Sequence, residues 1–221
     1  MRLVRISAGA YLLLMARRRL ILNPFEWLML GGLFVGLVYG VVTWSSSRTN
    51  CSDPPGSLSI RYGGGDTAYL YGLLTSQSAC KLRALAREHP AVENLVLVDI
   101  PGTVNLLNTQ EATLFIRNQG WNTLVPSNGS IASGGVMLFL GGVERDVAFG
   151  GQVGVHAWSQ PNPGRLFSSP DDIPENAERA YRKVYRQLGI DPAFYDFQIE
   201  SAPAEDIHWM TRAELDRWGL I

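Results

Sequence analysis

The chain has 221 residues, of which 46% are hydrophobic and 18% are charged, and its 19 basic and 20 acidic side chains give a net charge of −1. This composition excludes a disordered or collagen-like chain, and the charge balance excludes a simple basic nucleic-acid binder, so no nucleic-acid partner is expected. The charge is unevenly distributed, because residues 1–50 hold six arginines and one glutamate, a net +5, whereas residues 51–221 carry a net −6.

An uncharged apolar stretch near the N-terminus has the length of a membrane span. It runs for 21 residues from Trp27 to Ser47, and a helix of that length extends about 31 Å, close to the hydrocarbon thickness of a bilayer. Tryptophans stand near both ends, at Trp27 and Trp44, as is usual at the membrane interface. We therefore predict a transmembrane helix over residues 25–47, which makes the lipid bilayer a partner. A buried helix of a soluble domain is the alternative.

The arginines around this span predict its orientation. Five of them lie in residues 1–24 and only one follows the span closely, and positive charge favours the cytoplasmic side. We expect residues 1–24 to be cytoplasmic and the C-terminal domain to be periplasmic or otherwise extracytoplasmic, in a single-pass inner-membrane protein. A cleaved signal peptide is the rival interpretation, but the apolar run is longer than 7–15 residues and no clear A-x-A site follows it.

The two cysteines, Cys51 and Cys80, fall on the predicted exported side, where thiols can be oxidised. A disulfide between them would join the stretch after the span to the first helix of the domain. Two unpaired thiols remain the alternative, because two cysteines give no spacing motif. Neither cysteine has the CxxC or Cys/His spacing of a metal site, and no metal or cofactor is expected.

The rest of the chain predicts a linker followed by alternating strands and helices. The linker is expected over residues 48–66 and the domain over residues 67–221. Strand patterns cover Ala68–Leu74, Leu95–Ile100, Asn122–Pro126 and Val153–His156. Helical patterns cover Ala79–Glu88, Thr109–Asn118, Ser133–Leu140 and Glu175–Leu188, and a capping box at Thr211–Glu214 begins a last short helix. This order predicts an α/β domain with a mainly parallel sheet, flanking helices and right-handed crossovers.

Three polar features follow predicted strands. The turn Pro101-Gly102-Thr103 follows the first of the long apolar strands, Ser133 starts a buried helix after the next, and His156 follows the last. The carboxyl ends of strands line one crevice in an open α/β sheet, so these residues are expected to converge. A serine at a helix N-terminus, near a histidine and free backbone N–H groups, suits acyl transfer. On spacing alone, a helix-capping serine and a structural histidine are the alternatives.

Several segments resemble the Clp-protease/crotonase superfamily: LVDIPGT at 97–103, TLVP at 123–126, ASGGVMLFLGG at 132–142 and GVH at 154–156. The similarity is closer to its periplasmic or membrane-anchored Clp-protease-like members, related to signal peptide peptidase A and NfeD-type proteases. It covers roughly residues 68–221 and implies a ClpP/crotonase-like fold. In that family the strand ends in a Ser-Pro-Gly-Gly turn. Ile100 and Thr103 depart from this pattern at the turn that would line the substrate groove.

The resemblance implies a role for each matching residue. Ser133 would be the nucleophile and His156 the general base. The backbone N–H groups of Thr103 and Gly134 would form the oxyanion hole. Asp206 is our choice to orient the histidine, although it lies one position before the family's aspartate in an ungapped match. Without such a carboxylate the site would be a Ser-His dyad or inactive.

The resulting hypothesis is a membrane-anchored serine hydrolase, a peptidase that acts on peptide or protein substrates through an acyl-enzyme. The alternative is a non-catalytic Clp-like protein of the periplasm that binds peptides or serves as a scaffold. An enzyme of coenzyme A thioesters is disfavoured because no catalytic glutamate pair is evident. Related folds form rings or trimers, so a homo-oligomer is compatible with the resemblance. The aromatic stretch DPAFYDF at 191–197 is expected to line a groove or an oligomer contact, or to pack on the core.

Overall fold

The apolar run NLVLVDI forms the central strand of a sheet. In the computed structural model, which describes residues 51–52, 55–157 and 175–221, this strand is β3, Asn94–Ile100. Its side chains Leu95, Leu97 and Ile100 have no exposed surface, as expected for a strand inside a parallel sheet. The other described strands assemble around it. They are β1 Ser59–Gly64, β2 Thr67–Tyr71, β4 Asn122–Val125, β5 Ser130–Ala132, β6 Arg145–Val147, β7 Gln152–Val155 and β8 His208–Trp209.

Strand β3 pairs with two successive strands of the chain. Its first half pairs in parallel with β4, at Asn94 opposite Asn122, and its second half pairs in parallel with β5, at Asp99 opposite Ser130. Strand β4 then pairs with β6, and β5 with β7, both in parallel. Strand β2 is parallel to β3, whereas β1 and β8 add antiparallel edges to β2 and β7. A mainly parallel α/β sheet is therefore confirmed.

Helices flank this sheet, and all but one of those described follow the order that the sequence predicts. They are α1 Ser78–Glu88, α2 Leu106–Gln119, α3 Gly134–Leu140, α4 Glu175–Leu188, α5 Phe194–Ser201 and α6 Arg212–Arg217. The side chain of Asn105 caps α2 by accepting the Asn108 N–H at 2.9 Å, and Gly120 ends this helix at a φ of +73°, a conformation that glycine adopts without strain. All seven residues of α3 are buried, so this short helix is the centre of the core.

The domain begins earlier than expected. Strand β1 lies within the predicted linker, residues 48–66, and Leu58 just before it is fully buried. The linker interpretation failed here because β1 is an edge strand with mostly exposed side chains, and an exposed strand has no apolar alternation to reveal it. Strands β5 and β6 were not predicted because three residues are too few to show a period. Helix α5 was noted only as an aromatic stretch.

The N-terminal predictions lie outside the described residues. This applies to the cytoplasmic segment, residues 1–24, and to the transmembrane helix, residues 25–47. Within the described ranges, none of the helices has the length and apolar character needed to cross a membrane.

A disulfide joins Cys51 to Cys80, with the two Cα atoms 5.8 Å apart and 29 positions apart in sequence. It connects the chain ahead of β1 to helix α1, which contains Cys80. The sequence left this pair open between a disulfide and two free thiols, and the structure has the disulfide. The bond closes a loop that includes β1 and β2, so it restricts the unfolded chain around the first hairpin of the sheet.

Breaking this disulfide, whose cysteines are 29 positions apart, is expected to lower the free energy of unfolding by about 3.6 kcal/mol, because a cross-link over a loop of this size removes that much conformational freedom from the unfolded chain. Urea unfolding of the purified chain, with and without reductant, measures the effect. The Cys51→Ser/Cys80→Ser double variant should match the reduced protein and should not respond to reductant. Equal unfolding midpoints for the oxidised and reduced chain would contradict a stabilising role.

The last helix begins with the predicted capping box. The Thr211 hydroxyl accepts the Glu214 N–H at 3.3 Å, and a carboxylate oxygen of Glu214 accepts the Thr211 N–H at 2.7 Å. The same carboxylate accepts from His208 at 3.0 Å. Burial opposes the charge on Glu214, but the hydrogen bonds from Thr211 and His208 outweigh it and hold the pKa of this carboxyl below its usual value.

Stability that comes from this carboxylate should depend on pH in one direction. Because the folded-state pKa of Glu214 is lowered, its contribution is complete above the unfolded-state pKa, about 4.3, and is lost as the pH falls through the folded-state pKa. Glu214→Gln should therefore be less stable than the parent at neutral pH, and the difference should shrink on acidification below about pH 4. Thermal unfolding of both proteins between pH 7 and pH 3 tests this, and a difference that stays constant would refute it.

Candidate active site

The carboxyl ends of β3, β5 and β7 bring the predicted site residues together. Ala132 of β5 lies opposite Gly154 of β7 in the parallel register, and the Ser133 N–H donates to the Gly154 carbonyl at 3.0 Å. On the other side, a Cβ added to Gly102 would lie 3.5 Å from the Ser133 Cβ. Ser133 is therefore held between the turn after β3 and the strand that leads to His156.

The backbone of Ser133 adopts an uncommon conformation. Its φ is +53° and its ψ is −120°, and it is the one non-glycine residue with positive φ in the described part of the chain. Such a conformation costs about 1–3 kcal/mol and persists only where its surroundings enforce it. Ser133 occupies the N-cap position of α3, but its side chain makes no capping hydrogen bond there. The hydroxyl does not act as a helix cap in this structure.

Two glycines allow α3 to approach the turn after β3. A Cβ on Gly134 would lie 2.5 Å from Cγ2 of Thr103, and a Cβ on Gly135 would lie 2.4 Å from the backbone oxygen of Ile100. Both distances are below any normal contact, so only glycine fits at these positions. The small residues after the serine thus serve the packing of helix on turn. At Gly134 the space that a Cβ would occupy is filled by Thr103.

This close approach places two backbone donors side by side. The Leu74 N–H donates to the Gly102 carbonyl and the Val104 N–H donates to the Leu74 carbonyl, each at 3.0 Å. Leu74 therefore binds the peptide groups on either side of Thr103 and leaves the Thr103 N–H unused. Among the described residues, neither the Thr103 N–H nor the Gly134 N–H donates to another protein group. The Thr103 nitrogen lies 3.1 Å from where a Gly134 Cβ would be. The predicted pair of oxyanion donors is therefore adjacent and next to Ser133.

The two residues that depart from the family's turn both pack against neighbouring groups. Ile100 is fully buried and packs against Gly135. The Thr103 hydroxyl lies 2.7 Å from that of Thr109 and accepts the Asn105 N–H at 2.9 Å. These bonds hold the Thr103 side chain against the first turn of α2. The side chain therefore lies between the N-terminal ends of α2 and α3.

His156 is oriented by a backbone carbonyl. Its Nδ1 lies 2.6 Å from the carbonyl oxygen of Ala157, and a carbonyl oxygen can only accept, so Nδ1 carries the proton in this bond. In a neutral ring, Nε2 is then the acceptor. The Ala157 N–H donates to the Ala202 carbonyl at 2.8 Å, which fixes the peptide group that holds the ring. In the described part of the chain, no hydrogen bond joins His156 to Ser133.

Asp206 does not reach the histidine. It is exposed, and its carboxylate accepts the N–H of the next residue, Ile207, at 2.8 Å. The reason is the register of β8 on β7, where His208 lies opposite Val155, so that the next position places Ile207 opposite His156. A Cβ on Gly154 would indeed lie 2.5 Å from Cγ2 of Ile207. In this structure the Asp206 carboxylate is engaged by its own neighbour, so its orienting role stays a prediction.

Helices α4 and α5 provide a wall that the sequence did not assign to the site. A recess of about 10 Å³ lies among Ser133, His156, Tyr181, Tyr195, Gln198 and Ile199. The aromatic stretch at 191–197 supplies Tyr195, which packs on the core and also faces the recess. Burial, and then the neighbouring Tyr195, raises the pKa of the Tyr181 hydroxyl above its usual value, so this phenol stays neutral and is not a candidate base.

Comparison with known proteins adds solved structures only, since no family model matches the sequence and no curated protein is significantly similar. The membrane-bound stomatin-specific protease 1510-N is similar over 72% of this chain and 79% of that one, with 15% identity and a TM-score of 0.47. The same protease with a substrate peptide gives 16% identity, 72% and 75% coverage and a TM-score of 0.46.

An enoyl-CoA hydratase from Bacillus anthracis is similar to a comparable degree, with 13% identity, a TM-score of 0.46, and coverage of 74% of this chain and 68% of that one. All three TM-scores are below 0.5. These similarities therefore assign neither a family nor an activity to this chain.

The contact between α3 and the turn after β3 can be tested with a double-mutant cycle. Gly134→Ala should destabilise the protein by about 1–3 kcal/mol through overpacking, and Thr103→Gly should relieve part of that loss because it removes the two atoms closest to the new Cβ. Gly135→Ala is the matched control, since it meets the Ile100 backbone oxygen, which Thr103→Gly leaves in place. Urea unfolding measures the free energy of unfolding of the three single variants and of the two double variants that combine Thr103→Gly with either alanine. Additive effects for Gly134→Ala and Thr103→Gly would rule out this contact.

Proposed function

We propose that this chain is a serine hydrolase with a ClpP/crotonase-like fold, in which Ser133 is the nucleophile and His156 the general base. The observation that carries the proposal is the backbone of Ser133, at φ +53° and ψ −120° on a strand-to-helix turn. A strained serine on such a turn, with its hydroxyl free of capping bonds, is the arrangement that exposes a nucleophile. A serine that only capped a helix would have no need of that conformation.

The surrounding groups support each step of acyl transfer. The Ser133 Oγ forms a bond to the substrate carbonyl carbon while its proton passes to Nε2 of His156. The developing oxyanion accepts from the N–H groups of Thr103 and Gly134. The bond to the leaving amine then breaks, and His156 returns the proton to that amine. Water attacks the acyl-enzyme by the same sequence, which releases the acid and restores the Ser133 hydroxyl.

The histidine works as a dyad in this proposal. The Ala157 carbonyl oxygen accepts the Nδ1 proton, with 2.6 Å between Nδ1 and the oxygen. This bond keeps Nε2 available as the base, which is the orienting task of a triad carboxylate. Catalytic hydrogen bonds are often long before substrate binds. The Ser133–His156 bond is therefore proposed to form with the substrate in place.

A peptide is the substrate class that the surface beside the site fits best. Val104 and Leu107 are 71% and 75% exposed, and they follow directly on the proposed oxyanion turn. Apolar side chains left in solvent at the edge of a site offer contact area to a partner chain. The predicted membrane helix over residues 25–47 would place this peptidase at an extracytoplasmic membrane surface, where exported peptides are its candidate substrates.

A non-catalytic peptide-binding protein is the second candidate. The specific observation in its favour is that Asp206 accepts a hydrogen bond from Ile207 at 2.8 Å and is exposed, so no carboxylate of the described residues stabilises a charged His156. Removal of that carboxylate from a triad costs about 10⁴ in turnover. The two candidates differ in whether Ser133 is activated.

Labelling with a fluorophosphonate probe separates the two candidates. The purified chain should be labelled covalently at Ser133, because such probes react with an activated serine. Ser133→Ala should abolish labelling, and His156→Gln should slow it by about 10²–10⁴-fold, the usual contribution of a general base. Ser130→Ala, three residues earlier in the same segment, is the matched control and should label as the parent does. No labelling of folded protein would favour the binding protein.

Asp206→Asn distinguishes a dyad from a triad. We expect an unchanged labelling rate, because the Asp206 carboxylate is engaged by Ile207 and not by the histidine. The rate is measured as a time course of probe incorporation beside the parent chain. A loss approaching 10⁴-fold would show that Asp206 orients His156 when a ligand is bound.

A further inference from the structure

The recess between Ser133 and His156 is very small. Its volume of about 10 Å³ corresponds to the space that a single water molecule requires. Tyr195 and Ile199 of α5 and Tyr181 of α4 close its far side. Of these wall residues, Tyr181 and Tyr195 are 8% and 2% exposed, so their rings are fixed within the core.

Helices α4 and α5 are tied together by polar and aromatic contacts that resist opening of this wall. The Tyr185 hydroxyl donates to the side-chain oxygen of Gln198. Arg182 pairs with Asp196 and lies 5.1 Å above the Tyr195 ring. The rings of Tyr181 and Tyr195 are 5.4 Å apart. A wall held by a buried hydrogen bond and an ion pair yields less readily than one of aliphatic side chains alone.

The recess adjoins the position of an acyl group on Ser133, because Ser133 itself lines it. In the proposed acyl transfer the carbonyl oxygen points to Thr103 and Gly134 on the β3 side, and the leaving group must be near His156 to receive its proton. The remaining substituent of the carbonyl carbon is the Cα of the acyl residue, which carries both a side chain and the rest of the peptide. Because Tyr181, Tyr195 and Ile199 line the recess beside Ser133 and His156, they limit the size of a side chain that enters it.

We propose that this recess is the acyl pocket of the enzyme, which holds the side chain next to the cleaved carbonyl, and that Tyr195 and Ile199 restrict that side chain to a small one. For a peptide substrate, this means glycine or alanine at the residue that supplies the cleaved carbonyl. The inference rests on the proposed function, because it concerns the acyl group carried by Ser133. Tyr195 and Ile199 set the size limit, whereas the chemistry belongs to Ser133 and His156.

A series of p-nitrophenyl esters tests the size limit. The full chain, purified in a mild detergent, is given the acetyl, butyryl and hexanoyl esters, with Ser133→Ala as the background. We expect kcat/KM to fall at least tenfold from acetyl to butyryl, since a methylene in an apolar pocket changes kcat/KM by about 10–200-fold. Hexanoyl ester hydrolysis should not exceed the background. The readout is the ratio of butyryl to acetyl kcat/KM.

Enlarging the pocket should change that ratio. Ile199→Ala should raise the butyryl-to-acetyl ratio by about tenfold or more, and the milder Ile199→Val should raise it less. Ile60→Ala is the matched control, because Ile60 is also a partly buried isoleucine against the core but lies on β1, away from the recess. Its ratio should equal that of the parent. Ile199→Val retains most of the side chain and serves if Ile199→Ala does not fold.

The outcomes separate this inference from the proposed function. Equal kcat/KM for the acetyl, butyryl and hexanoyl esters, or a ratio that Ile199→Val and Ile199→Ala leave unchanged, would overturn the size limit and leave the hydrolase standing. Absence of hydrolysis of every ester together with absence of fluorophosphonate labelling would overturn the hydrolase and the acyl pocket with it.

Discussion

The first turn of α3 packs directly on the turn after β3, with no side chain between them. Gly134 lies against Thr103 and Gly135 against the Ile100 carbonyl, at distances that exclude a Cβ. Because α3 is pressed so close to the sheet, the chain that leaves β5 must turn sharply, and Ser133 takes a φ of +53° at that corner. The same contact brings the backbone nitrogens of Thr103 and Gly134 close together. The strain at the serine and the paired donors beside it therefore have one cause.

The histidine is held by a different kind of group from the one expected. A backbone carbonyl fixes the tautomer of the ring as well as a carboxylate does, since both accept the Nδ1 proton. It carries only a dipole, however, and not a full charge, so it stabilises a protonated imidazole less. In the proposed hydrolase, a dyad built in this way keeps the geometry of general-base catalysis and loses part of its electrostatic assistance, so its turnover is expected to be slower than that of a triad.

The sequence predicts the strands with continuous apolar runs and the helices with clear caps, because burial and capping act locally. It also predicts that Ser133, His156 and the turn at 101–103 lie close together, since the ends of parallel strands share an edge of the sheet. It does not predict β1, whose exposed side chains carry no period. It also does not predict which side chain after α5 faces His156, because that depends on the register of β8 on β7, and a shift of one residue along a strand reverses which side chain faces the site.

In the proposed enzyme, the chemistry and the size selection of the site come from different parts of the fold. The serine, the histidine and the backbone donors lie at the ends of β3, β5 and β7, where main-chain pairing fixes them and most side-chain changes leave them in place. The recess is closed by side chains of α4 and α5, which the polar pairs between these helices hold together. Substitutions on α5 can therefore alter which acyl group fits without disturbing the strained serine. A fold arranged in this way can keep one reaction while its substrate changes.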